Sequence, residues 1–253
     1  MKTIIKFPIH VIGALLALST AFAGDHVVRQ DSKALDVLKT MSAYKASLDR
    51  VVIQAVSFTD ARLGSGLLVS NSTELKVSID RPGSMHISNF DGVASKELYF
   101  HEGMLTVYGT EMNYYAQASI PKNIDAAMAF ALEELDVEAP LMDLIYQDAS
   151  AHLIGSQETI LYLTDKARIA GVDCHHIAIR GAEVDVQLWV EQGDLPLLRK
   201  IVITSKWEGG SPRFTANLLW DSEPDFDQDI FKFKPPEGSI NIGFTQINSS
   251  EGD

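Results

Sequence analysis

Cys174, His175 and His176 stand in a row, and all three side chains can ligate a metal. Between Val172-Asp173 and Ile177-Ala178-Ile179 they read as part of a β-strand. Side chains alternate between the two faces of a strand, so His175 and His176 point to opposite sides and cannot share one ion. Cys174 and His176 do share a face. A third ligand would have to come from His86, His101 or His152. No metal and no other cofactor is therefore expected. Cys174 is the chain's lone cysteine, which rules out an intramolecular disulfide. Free cysteine is among the most buried residue types, and an inert, buried thiol is the expectation.

Paired carboxylates are the next chemistry to consider, because glycosidases work with two across a cleft. Glu133-Glu134 and Asp227 with Asp229 are such pairs, yet in a chain with 34 acidic residues adjacency carries little information. The chain has no Gly-x-Ser-x-Gly elbow, phosphate-binding glycine loop, Rossmann fingerprint or His-Glu-x-x-His. No serine has a local context that favours a Ser-His-Asp triad. The sequence gives no specific catalytic activity, and a hydrolase is the least favoured function.

The elements that would position these residues follow from hydropathy periodicity. Residues 31–48 read as a helix, with Asp31 or Ser32 as cap and Leu35, Leu38, Met41 and Tyr44 as the apolar stripe. Strand patterns follow at 51–60, 67–80, 85–90, 97–100, 105–108 and 114–118. His101-Glu102-Gly103 is a hairpin turn, since glycine accepts the positive φ such turns require, and Arg81-Pro82-Gly83 is another break. Residues 124–135 are good helix formers, and Pro140 can open a second short helix over 141–146. This insert is expected to cover the open face of the sheet. Strands resume at 174–180, 184–191, 198–207 and 214–222, with Phe231-Lys232-Phe233 as a last short one. Many of the aromatic residues fall on these strands. Trp189 and Trp207 are out of step with the apolar set, which places them at the surface or at the mouth of a cavity.

The first 23 residues are an export signal. Lys2 and Lys6 precede an apolar run from Val11 to Leu18, and Ala21-Phe22-Ala23 presents small residues at the cleavage site. That run is shorter than the roughly 20 apolar residues a membrane span needs. Cleavage near Ala23 leaves 19 basic residues against 34 acidic ones. Such a charge excludes a nucleic-acid partner and favours solubility, and with the export signal the expectation is a soluble, non-spanning periplasmic protein of a Gram-negative cell. The expected organisation is a signal peptide at 1–23, one domain at 24–247 and a disordered tail at 248–253.

Several short motifs together resemble an exported bacterial family classed as a domain of unknown function. They are Gly92 with Tyr99–Tyr108, Asn113-Tyr114-Tyr115-Ala116, Pro140–Tyr146, Gly171–His176, Val186–Val190 and Pro196–Thr204. That family is similar in turn to the outer-membrane lipoprotein carrier and receptor proteins, LolA and LolB. The resemblance covers roughly residues 31–245. It implies an α+β fold: a single curved antiparallel β-sheet, an incomplete barrel, with a helical lid and an N-terminal helix. Carriers of this kind hold acyl chains between barrel and lid. The implied ligand-binding residues are Tyr99, Tyr108, Tyr115, Trp189 and Trp220 in the cavity and Leu141 and Leu144 in the lid. One departure is that no arginine of the motifs matches the one those carriers use to hold the lid. The expected function is binding or carriage of a hydrophobic ligand, an acyl chain, lipid or lipoprotein. The alternative is a non-catalytic factor with a solid core and an envelope protein as partner.

Overall fold

The computed structural model describes residues 29–137, 141–148, 159–207 and 209–244. The stretches read as a signal peptide (1–23) and a tail (248–253) lie outside them, as do Pro140 and His152. In chain order the elements are β1 (Arg29–Gln30), α1 (Ser32–Ala46), β2 (Arg50–Arg62), β3 (Leu68–Asp80), β4 (Ser84–Phe90), β5 (Ser95–His101), β6 (Met104–Gly109) and β7 (Tyr114–Ser119). Then follow α2 (Ile124–Leu135), α3 (Met142–Ile145), β8 (Thr159–Ile169), β9 (Val172–Arg180), β10 (Val184–Glu191), β11 (Leu198–Ser205) and β12 (Arg213–Asp221). A 3₁₀ turn at Gln228–Phe231 and β13 (Ile240–Asn241) complete the described elements.

All the described strands form one sheet, in the order β1-β8-β9-β10-β11-β12-β2-β3-β4-β5-β6-β7-β13. Only the two outermost pairings are parallel: β1 on β8 and β13 on β7. The sheet is an incomplete barrel with two separate ends, and its halves meet where β12 pairs with β2. The hairpin read at His101–Gly103 is present. Gly103 has φ +84°, and a Cβ there would lie 3.1 Å from the Ile120 carbonyl oxygen, so the turn admits little else.

Alternation along each strand defines two faces. Val51, Ile53 and Ala55 of β2, Val77 and Ile79 of β3, Met85 and Ile87 of β4, and Leu98 and Phe100 of β5 join one buried core. The helices complete it with Ala34, Leu38 and Met41 of α1, Ile124, Ala127, Met128 and Ala131 of α2, and Leu144 and Ile145 of α3. This is the inner face. The helix stripe on α1 is rotated from the one expected, because Ala34, Leu38, Met41 and Lys45 are buried while Leu35 and Tyr44 are half-exposed.

The opposite face is covered too. Val52, Ser78 and Thr106 point away from the helices yet are buried. The chain after β12 packs there: the 3₁₀ turn lies against β4 and β5, and Phe233 follows it. Phe231-Lys232-Phe233 is thus not a strand. Asp227 caps the turn by accepting from the Asp229 N–H at 2.9 Å, and this turns Phe231 inward.

Caps fix the helix starts. Asp31 Oδ1 accepts from the N–H groups of Lys33 and Ala34 at 2.9 and 3.2 Å. Asn123 Oδ1 does the same for Asp125 and Ala126 at 3.0 and 3.3 Å. Asn123→Ala is expected to cost about 1 kcal/mol in a denaturant titration, the usual loss for an N-cap.

Candidate functional site

The lid is fastened at one end by charged groups. Its last described turn runs from Leu144 to Gln147, and four successive main-chain groups there are held from outside. Lys45 Nζ, at the end of α1, donates to the Leu144 carbonyl at 3.0 Å and to the Tyr146 carbonyl. Arg81, in the β3–β4 turn, donates to the Ile145 carbonyl between them. Asp125, in the first turn of α2, receives Arg81 on one oxygen at 3.2 Å and the Gln147 N–H on the other at 2.9 Å. The Ile124 N–H bonds to the Pro82 carbonyl at 3.0 Å, which ties α2 to the same turn. The end of a helix leaves carbonyls without partners, and cations satisfy them well there.

Both cations are deeply placed. Lys45 is 6% exposed, and the Arg81 side chain is 10% exposed. Burial, aided by the Arg81 charge and opposed by the fields of Asp125 and Asp148, pushes the Lys45 ammonium down to about 7. Ser42 of α1 donates to Asp148 at 3.1 Å, adding a second link between α1 and the segment after α3.

Beneath this fastening lies a cavity of about 10 Å³, lined by Met41, Lys45, Leu144, Leu197, Leu198 and Trp220. It has room for about one water molecule, whereas small-molecule pockets span roughly 300–1,000 Å³. Among the described residues, side chains of the helices and of the sheet's inner face pack into one core. Three of these are methionines, Met41, Met85 and Met128, all buried in the inner core. The unbranched thioether adapts to changes of packing more readily than branched side chains do.

The residues expected to bind ligand divide between the two faces. Leu141, Leu144 and Trp220 come together on the inner side; both leucines are buried, and Trp220 donates its indole N–H to the Leu198 carbonyl at 2.7 Å. Tyr99, Tyr108 and Tyr115 lie on the other face, around Phe233, with ring centroids 5.3, 5.5 and 5.0 Å from it. Tyr99 also stacks on His86 at 4.3 Å, and Glu97 bonds His86 and Ser88 at 2.8 Å each. Trp189 is on that face as well, far along the sheet, stacked on His176 at 4.2 Å with Lys200 at 5.0 Å from its ring.

His175 and His176 do take opposite faces. Asp165 receives Lys33 at 2.7 Å and also bonds His175; Lys33 above all, then Tyr162 and His175, hold the Asp165 carboxyl well below the usual carboxylate range. A surface cleft of about 180 Å³ opens beside them, between α1 and the β10–β11 turn. Cys174 is fully buried, and burial pushes its thiol up. Among the described residues no group of three His, Cys, Asp or Glu side chains is arranged to hold a metal.

Sequence reasoning missed Lys45, Arg81 and Asp125. Lys45 continues the spacing of Leu38 and Met41, so a charge on the core stripe was there to be seen. Arg81, read only as the start of a break, carried no signal of its own.

The family described as "Predicted periplasmic protein (DUF2092)" matches residues 34–245. This chain belongs to DUF2092. The family places it in the periplasm. Among the described residues no helix is long and apolar enough to cross a membrane. No curated protein sequence matches the chain. Solved structures similar to this DUF2092 protein include LprF from Mycobacterium bovis (13% identity, 78% of this chain and 96% of that one, TM-score 0.48). The lipoprotein LppX of Mycobacterium tuberculosis is another (10% identity, 78% and 98%, TM-score 0.46). A third is a LolA superfamily protein from Nitrosomonas europaea (12% identity, 79% and 97%, TM-score 0.37).

Proposed function

We propose that this protein is a periplasmic carrier that takes up an acyl-containing ligand between the inner face of its sheet and the lid, and performs no catalysis. The observation that carries this is the form of the lid's attachment. Along its length the lid meets the sheet through apolar side chains, methionines among them; at one end it is fastened by Lys45, Arg81 and Asp125. Separating the two would expose a continuous apolar surface, which binds acyl chains at about 25 cal/mol per Å² removed from water. Leu141, Leu144 and Trp220 would line that space. In this reading residues 24–247 are the working unit once the leader at 1–23 has been removed.

The test is native mass spectrometry of the mature protein purified from periplasm, followed by lipid extraction. A stoichiometric acyl-containing adduct is the expected result. Leu144→Asp, which places a charge under the lid, is expected to lose it while keeping the fold. A clean apo mass that persists after incubation with phospholipids and lipopeptides would favour the second reading, a solid-cored envelope-interaction factor. The small cavity is the observation on that side.

A further inference from the structure

Two buried cations beside a lid are an expensive way to hold backbone carbonyls. Neutral donors would do the same work without taking a charge out of water. Lys45 is the one charged residue among the six that line the inner cavity; Met41, Leu144, Leu197, Leu198 and Trp220 are the rest. Its two hydrogen-bond acceptors are main-chain carbonyls of the lid, which are neutral. Arg81 likewise spends one arm on a lid carbonyl, and its Asp125 partner belongs to the lid as well. The three carbonyls and the Asp125 carboxylate would all leave with the lid. What stays on the sheet and α1 is an ammonium and a guanidinium at the end of an apolar trough.

From this arrangement we infer that the ligand is an acyl chain with an anionic head, a carboxylate or phosphate monoester, and that Lys45 and Arg81 receive the head. The inference rests on the carrier reading and adds the chemical class of the cargo. In the closed state the lid carbonyls stand in for the ligand's oxygens. On opening, the ligand's anion takes their place, and its tail covers Met41, Leu198 and Trp220. Asp125 and Asp148 also face Lys45; withdrawing Asp125 with the lid removes a carboxylate that would repel the incoming head. The guanidinium offers a planar fork to a carboxylate or phosphate, and the ammonium offers a point charge beside it.

The experiment is displacement of a neutral fluorescent acyl probe from delipidated mature protein at neutral pH. The competitors are palmitate, 1-palmitoyl lysophosphatidate and methyl palmitate. Wild type is expected to hold one or both anions at least tenfold more tightly than the ester. Which anion leads identifies the head as carboxylate or phosphate. Lys45→Met is expected to lose most of the preference for the anions over the ester, and Lys45→Arg to retain it; both are checked for folding by circular dichroism. Equal affinity of wild type for acids and ester would overturn the inference and leave the carrier reading standing. A preference that survives in Lys45→Met and in Arg81→Met would also overturn it. Failure of every compound and of the probe to bind would instead sink the carrier reading itself.

Discussion

Lys45→Met is expected to flatten the pH dependence of stability between about pH 7 and 10. In the folded protein the Lys45 ammonium loses its proton near 7, whereas in the unfolded chain it does so at its ordinary 10.5. Within that window the unfolded state therefore binds more protons, and stability rises with pH. Below the folded value the penalty is complete, because the charge must be buried in full. As pH rises toward 10.5 the penalty disappears. At 1.36 kcal/mol per unit, wild type is expected to gain roughly 3 kcal/mol between about pH 6.5 and 9.5 from this group. For a domain of this size that is about 6–12 °C in Tm. The methionine variant loses the hydrogen bonds to Leu144 and Tyr146, so its absolute stability shifts at every pH. The measurement that matters is the difference in slope between the two proteins, read from thermal melts across the window. Parallel slopes would mean that Lys45 is solvated in the native state. The same linkage acts on the lid alone: acid favours the open form, since opening lets the ammonium reach water.

The second large effect is expected from Phe231→Ala. Phe231 is fully buried, packs edge-on against Phe226 at 5.2 Å, and sits outside the inner core. A cavity of that size costs about 3–5 kcal/mol, or roughly 10 °C in Tm. Arg50 lies over the Phe226 ring at 4.3 Å, and Gln228 donates to Asp80, so the 3₁₀ turn is fixed on both flanks. Phe233→Ala, at a half-buried position, is expected to cost less. If Phe231→Ala melted with wild type, the carboxyl-terminal segment would be an appendage and not part of the packed structure.

The sequence was informative where a local signal and the tertiary structure agree. Residues 124–135 form α2 over the span expected, because the Asn123 cap, the alanines and the apolar positions all favour a helix. The hairpin at Gly103 and most strand spans follow for the same reason. Strand β8 was missed. Its sequence carries Asp165, Lys166 and Arg168, and its register with β9 shifts twice around Thr164, so no clean alternation survives. Phe231 and Phe233 imitate a period of two, but the Asp227 cap converts the first of them into a turn residue.

The site was the least legible part. A period of two shows that Tyr99, Glu97 and His101 share one face, yet cannot say which face is inner. Here both faces are covered, so the usual contrast of buried against wet is absent at this end of the sheet. Lys45 was obscured for another reason. A lysine on a helix is normally a solvated group, and only the carbonyls that end α3, far along the chain, make its burial tolerable.

The two ends of the sheet are closed by opposite ends of the described chain, β1 on β8 and β13 on β7. An exported chain emerges amino-terminus first, so residues 240–241 arrive after β7 and every strand before it. Until then β7 presents unpaired main-chain groups, and Tyr99, Tyr108 and Tyr115 have no Phe233 to cover them. That edge is a template for pairing with other chains. Aggregation during biogenesis should therefore concentrate at β7, and a carboxyl-terminal truncation before Ile240 should leave that hazard permanent in the finished protein.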